Sequence, residues 1–160
     1  MTVTSRRAGL TQKLVAQLAE AGARAVLYEE ASPNPTTVEV DAGAELARRE
    51  GVEALVGLGG GSAMDVAKAI AMVVAYGQPC YELCGRPLPQ PGLPVVAVPT
   101  TSGTGAEVSG VAVVTEPSRH HKTSLRSPQV SPAVAAVDPE LTLALPPSVT
   151  ASSGMDAFQS

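Results

Sequence analysis

Two clusters of glycine, serine and threonine, each placed where an apolar run stops, constrain this chain most. Gly59-Gly60-Gly61-Ser62 follows the apolar stretch 52–58 and precedes a helical pattern carrying Asp65 and Lys68. Pro99-Thr100-Thr101-Ser102-Gly103-Thr104-Gly105-Ala106-Glu107 follows the apolar stretch 94–98. Each cluster leaves backbone N–H groups unshielded at a strand end. Glycine lets the main chain approach a ligand closely there, and a helix N-terminus attracts negative charge. Such donors suit phosphate, and two sets of them in one short chain point to a dinucleotide.

The pattern around the clusters alternates strand and helix. Leu10, Leu14 and Leu18 fall four apart, one apolar stripe of a helix that stops at Gly22. Residues 25–28 read as a short strand, and Ser32-Pro33-Asn34-Pro35-Thr36 as a turn, because two prolines forbid helix there. A second helix is expected over 37–50, burying Val38, Leu46 and Ala47, and a strand with both faces covered over 52–58. A third helix over 63–76 buries Val66, Ile70 and Val73; 78–93 is a Pro- and Gly-rich loop, and 94–98 a buried strand. Residues 111–115 and 133–137 are further strand candidates, and 153–160 reads as the opening of a helix. This alternation predicts an α/β fold, a Rossmann-like, mostly parallel sheet flanked by helices, with ligands at the carboxyl ends of the strands.

Composition narrows the partners. At 160 residues the chain is at most one ordinary domain, and with 2% aromatic residues its core must rest on Ala, Val and Leu. A formal charge of -4 and a pI near 5.1 argue against a sequence-independent grip on nucleic acid. No apolar run approaches the roughly 20 residues of a membrane span, and Met1 to Arg7 lacks a secretory signal's apolar centre. Cys80 and Cys84 lack the further ligands a metal ribbon needs, so they read as buried free thiols of a reduced, cytoplasmic protein.

Several residues carry two readings. Ser62 and Asp65 fit a helix capping box, yet a cap does not require three preceding glycines. The first cluster is no P-loop and lacks the last glycine of the Rossmann signature. Thr100 to Glu107 is either a strand-to-helix loop or a cradle for phosphates and nicotinamide. Lys122 is either a solvated lysine or a point charge for ribose or phosphate. His120 and His121 adjoin it and point apart on a strand, which disfavours a shared metal.

In combination these motifs resemble the iron-dependent (group III) alcohol dehydrogenases. The resemblance rests on Gly59-Gly60-Gly61-Ser62-x-x-Asp65-x-x-Lys68, Pro99-Thr100-Thr101-x-Gly103-Thr104-Gly105-x-Glu107, Asp138-Pro139, Gly154-Met155-Asp156-Ala157 and the turn Ser32 to Thr36, in family order. It implies a dehydroquinate synthase-like N-terminal domain that binds NAD or NADP over residues 1–150. Residues 151–160 would open a helical metal-binding domain that is otherwise absent. By this similarity Gly61 and Ser62 hold the pyrophosphate, Gly59 and Gly60 shape the turn, and Asp65 sits near the phosphates and the reactive end. Asn34 touches the adenosine side; Thr100, Thr101, Ser102, Gly103 and Thr104 line the adenine and phosphate region; Val113, Lys122 and Leu141 continue that wall. Asp156 matches a ligand to Fe²⁺ (or Zn²⁺), which polarises the alcohol oxygen.

The implied reaction interconverts an alcohol and an aldehyde or ketone. The rival readings are a non-catalytic nucleotide-binding or interaction module and a glycerol-dehydrogenase-like relative. Pairing into a homodimer through the N-terminal region is a further implication. Three departures bear on activity. Ser160 stands where the family has a metal-binding histidine, the later histidines are absent, and only the stump Met1 to Thr4 precedes the first clear helix. The chain is thus expected to be shorter than the family at both ends and poorly active alone. Ser5 stands where an aspartate often accepts from the ribose, and with Arg6 and Arg7 it would welcome a 2′-phosphate.

Overall fold

The stump that sequence reasoning left before the first helix is a strand at the heart of the sheet. In the computed structural model, which describes residues 1–4, 8–119, 121–143 and 145–159, Thr2–Thr4 forms β1, fully buried between two parallel neighbours. The expectations for Ser5, Arg6, Arg7, His120 and Ser160 lie outside the described residues. The chain continues through α1 (Ala8–Glu20), β2 (Leu27–Tyr28), α2 (Thr37–Arg49), β3 (Leu55–Gly59) and α3 (Gly61–Tyr76). A single turn α4 (Cys80–Leu83), β4 (Val95–Pro99), β5 (Val111–Glu116), β6 (His121–Arg126), β7 (Val134–Ala135) and α5 (Pro147–Gln159) follow. The main sheet has the order β2-β1-β3-β4-β7 and every pairing in it is parallel. The α/β expectation holds.

The helices form where sequence chemistry places them. Thr36 caps α2 with a reciprocal box: its hydroxyl accepts from the Glu39 N–H, and the Glu39 carboxylate accepts from the Thr36 N–H. The helix buries Val40, Gly43, Ala44 and Ala47, whereas Val38, expected inside, is 65% exposed. Val40, Ala44 and Ala47 repeat at helical spacing; Val38 falls off that stripe. α3 is apolar nearly all round, from Ala63 to Val73, because it packs on β3, β4 and β1 and on α2 at once. The core is rich in Ala and Val, with Leu, Ile and Met filling it, as the scarcity of aromatics requires.

Four local expectations change. Ser62 and Asp65 do not cap α3: its N-cap is Gly60, no side chain closes that turn, and the helix begins two residues earlier than the pattern suggested. The loop 78–93 contains the turn α4. The second cluster does not enter a helix but leads to an antiparallel hairpin, β5 with β6, which forms its own two-stranded sheet. α5 begins at Pro147, six residues before the helix opening expected at 153.

Candidate functional site

β3 and β4 run parallel in a register that sets Gly59 beside Pro99, so the two clusters leave the sheet side by side. The Thr100 N–H donates to the Gly59 carbonyl at 2.8 Å. Gly59 has φ +150°, a conformation glycine takes without strain. A Cβ on Gly61 would stand 3.0 Å from Thr104 Oγ1, so that position is glycine because the second loop lies against it. Gly60 is different: its φ of -79° is open to any residue, and its missing Cβ leaves the uncapped first turn of α3 accessible.

A cleft of about 760 Å³ opens beside this loop. It gathers Asn34, Gly61, Ser62, Asp65, Thr104, Val113 and Lys122 from the sequence expectation. Ser62 Oγ donates to the Pro33 carbonyl at 2.9 Å, and the Thr115 N–H donates to the Pro35 carbonyl at 2.7 Å. These two bonds fix the proline turn, and with it Asn34, between α3 and β5.

A second cleft, about 370 Å³, lies between α1 and the ends of β3 and β4, lined by Leu10, Leu14, Leu58, Val98, Asp138 and Leu141. The expected continuous wall of Val113, Lys122 and Leu141 is therefore divided. Val113 and Lys122 face one cleft and Leu141 the other. Asn34 lies with Val113 and Lys122. Thr100 is buried at the loop base, Thr101 lies against Gly60, and Ser102 is exposed.

The residue that sequence reasoning left without a role is Lys68. Its side chain is fully buried, and Nζ donates to the carbonyls of Ala106 (3.0 Å) and Val111 and pairs with Asp65 Oδ1 at 2.9 Å. Asp65 Oδ2 accepts from the Val113 N–H at 3.0 Å. Burial pushes the Asp65 carboxyl above its ordinary range, against the opposing pull of the Lys68 ammonium and the Val113 N–H. The spacing of Asp65 and Lys68, three apart on one helix, was the legible signal.

Asp156 lies on α5, one turn beyond Ser153, whose carbonyl faces the Cα of Gly103 so closely that no Cβ fits between them. Gly103→Ala is expected to displace α5 and cost about 1–3 kcal/mol. Hydrogen exchange along 147–159, unchanged in the variant, would show this contact to be unimportant. Among the described residues no three His, Cys, Asp or Glu side chains converge as a metal site, so those residues by themselves do not fit an iron centre. The glycine cradle and the uncapped helix turn do fit a dinucleotide phosphate. No helix among the described residues is long and apolar enough to cross a membrane.

Comparison with known proteins agrees with this geometry. The family model for iron-containing alcohol dehydrogenase matches residues 1–139. The chain is 38% identical over 151 residues to the NAD-dependent methanol dehydrogenase of Bacillus methanolicus, covering 94% of this chain and 40% of that protein. It superposes with a TM-score of 0.90 on sulfoacetaldehyde reductase from Bifidobacterium kashiwanohense in complex with NAD+, at 42% identity, covering 97% of this chain and 42% of that one. A 1,3-propanediol oxidoreductase structure gives a TM-score of 0.93 at 34% identity, covering 98% of this chain and 42% of that one. The chain thus spans about two-fifths of the length of these relatives. On the family match and these identities, the chain belongs to the iron-containing alcohol dehydrogenase family.

Proposed function

We propose that this chain is the dinucleotide-binding part of an NAD(P)- and metal-dependent dehydrogenase that interconverts alcohols with aldehydes or ketones. The observation that carries the reading is the adjacency of the two glycine-threonine loops over the carboxyl ends of β3 and β4, with a cleft on either side. The bound nicotinamide supplies hydride chemistry. The N–H groups at the start of α3 face the pyrophosphate across Gly60 and Gly61. The cleft of Leu10, Leu14 and Leu141 is apolar and takes the adenosine; the cleft of Asp65, Val113 and Lys122 takes the nicotinamide riboside, with Lys122 offering charge to its hydroxyls. Asp65 shapes this second cleft by holding the Val113 backbone and Lys68 in place.

The metal belongs to the whole enzyme in this reading. Asp156 is this chain's one contribution to it, and one carboxylate does not hold a catalytic ion. The favoured assembly is a homodimer, and the favoured setting the cytoplasm. Calorimetric titration of the chain with NADH and with NADPH tests the reading. Saturable one-to-one binding of either is expected, and turnover of alcohols with added Fe²⁺ or Zn²⁺ is expected to be near zero. Absence of binding to both nucleotides would sink the reading. Binding without turnover is also the behaviour of a non-catalytic nucleotide module, the second reading.

A further inference from the structure

α4 carries a pair of thiols away from both clefts. Cys80 opens this single turn and Cys84 closes it as the C-cap, so the two side chains sit on one side of the turn. Cys84 Sγ donates to the Cys80 carbonyl oxygen at 3.3 Å, which folds the Cys84 side chain back along the turn toward Cys80. Cys80 is fully buried, whereas Cys84 is half-buried and reachable from solvent.

The groups packed around the pair come from three elements. Asp41 of α2 accepts from the Cys80 N–H at 2.8 Å, Glu116 of β5 adds a second carboxylate, and Thr123 of β6 offers its hydroxyl to Cys84. We propose that Cys80 and Cys84 are a redox-modifiable dithiol, in which Cys84 takes a hydroperoxide's oxygen and Cys80 resolves it to an intramolecular disulfide.

The order of attack follows from the surroundings. Cys84 is the half-buried thiol that a peroxide reaches and Cys80 the fully buried one, and the neighbouring Cys80 thiol, aided by Thr123 and opposed by burial, Glu116 and Asp41, also brings the Cys84 thiol down to about 7. The neighbouring Cys84 thiol, burial and the two carboxylates push the Cys80 thiol up, so Cys80 stays protonated. In the first step the Cys84 thiolate attacks the peroxide; an S–O bond forms, the O–O bond breaks, and hydroxide or alkoxide leaves. In the second, the Cys80 sulfur attacks the Cys84 sulfenic acid. The S–S bond forms, the S–O bond breaks, and the departing hydroxide carries away the Cys80 proton as water. Two thiols lose two electrons and the peroxide gains them.

The disulfide has a structural reach. The Gly85 N–H, next to Cys84, donates to the Ser124 carbonyl of β6 at 3.2 Å, so closing the pair pulls on the strand that carries Lys122.

Intact-mass analysis of the chain after hydrogen peroxide treatment is the test. Wild type is expected to become about 2 Da lighter as a monomer and to recover its mass with a reductant. Cys80→Ser is expected to halt at the first step, so that dimedone labels Cys84 and no disulfide forms. Cys84→Ser is expected to resist the same dose. Dimedone labelling of Cys80 ahead of Cys84, disulfide-linked dimers in place of the lighter monomer, or no mass change in the wild type would each overturn the proposal.

Discussion

Lys68→Met is expected to lower the folding stability of this chain by about 3–5 kcal/mol, because it strips a buried ion pair of one partner and leaves the other uncompensated. Lys68 is 0% exposed, and its Nζ ties α3 to the carbonyls that lead into β5. Methionine fills the volume but leaves those carbonyls and Asp65 Oδ1 without the ammonium. The deficit has a predicted pH dependence. Asp65 is held above its ordinary range in the folded state, so its protonation favours folding; that contribution is complete below the unfolded value and is lost as pH rises through the folded one. Without Lys68 the Asp65 carboxyl rises further. The variant's deficit is therefore largest at neutral pH and narrows on acidification. Urea titrations at neutral and mildly acidic pH read this directly. A second variant combining Lys68→Met with Asp65→Asn is expected to regain part of the loss. A deficit that is independent of pH and unaffected by Asp65→Asn would show that packing, not charge, governs this position.

Gly60→Val is expected to weaken nucleotide binding about a hundredfold, some 2.7 kcal/mol, while leaving the thermal midpoint nearly where it was. The backbone at Gly60 sits at φ -79°, which valine accepts. A Cβ there would meet first the Thr101 side chain, at 3.4 Å, an ordinary contact. The added methyl groups instead occupy the approach to the uncapped turn of α3, where the proposed pyrophosphate lies. Gly61→Val confounds the two effects, since a Cβ at Gly61 already presses on Thr104 at 3.0 Å. Calorimetry with NADH on Gly60→Val beside a thermal melt separates binding from folding. Undiminished affinity would move the phosphate off this loop.

The parts of the fold legible in the sequence are those whose burial is two-sided. β3 and β4 showed as uninterrupted apolar runs because neighbours cover both faces, and α3 showed as an apolar helix for the same reason. β6 was missed because only Leu125 of His121–Arg126 is buried, so its composition is that of a loop. β1 was missed because three residues are too few to show a period. Ser62 and Asp65 misled because their sequence suits a cap, yet Ser62 bonds to the Pro33 carbonyl and Asp65 to Lys68 and Val113. The meeting of the two clusters could be read from motif order, since each closes one of the paired strands β3 and β4. The division of Leu141 from Val113 and Lys122 could not, because it depends on which face of the sheet each loop crosses.

The hairpin of β5 and β6 shares no ladder with the five-stranded sheet. It is tied instead to α3, by the Asp65 carboxylate on the Val113 N–H, by Lys68 on the Val111 carbonyl and by Ala112, Val114 and Leu125 in the shared core, so the wall that carries Val113 and Lys122 is held to the floor by side chains and not by a ladder. A ligand bridging floor and wall would thus add a second tie beside Lys68 and Asp65, and its arrival would slow amide exchange in the hairpin.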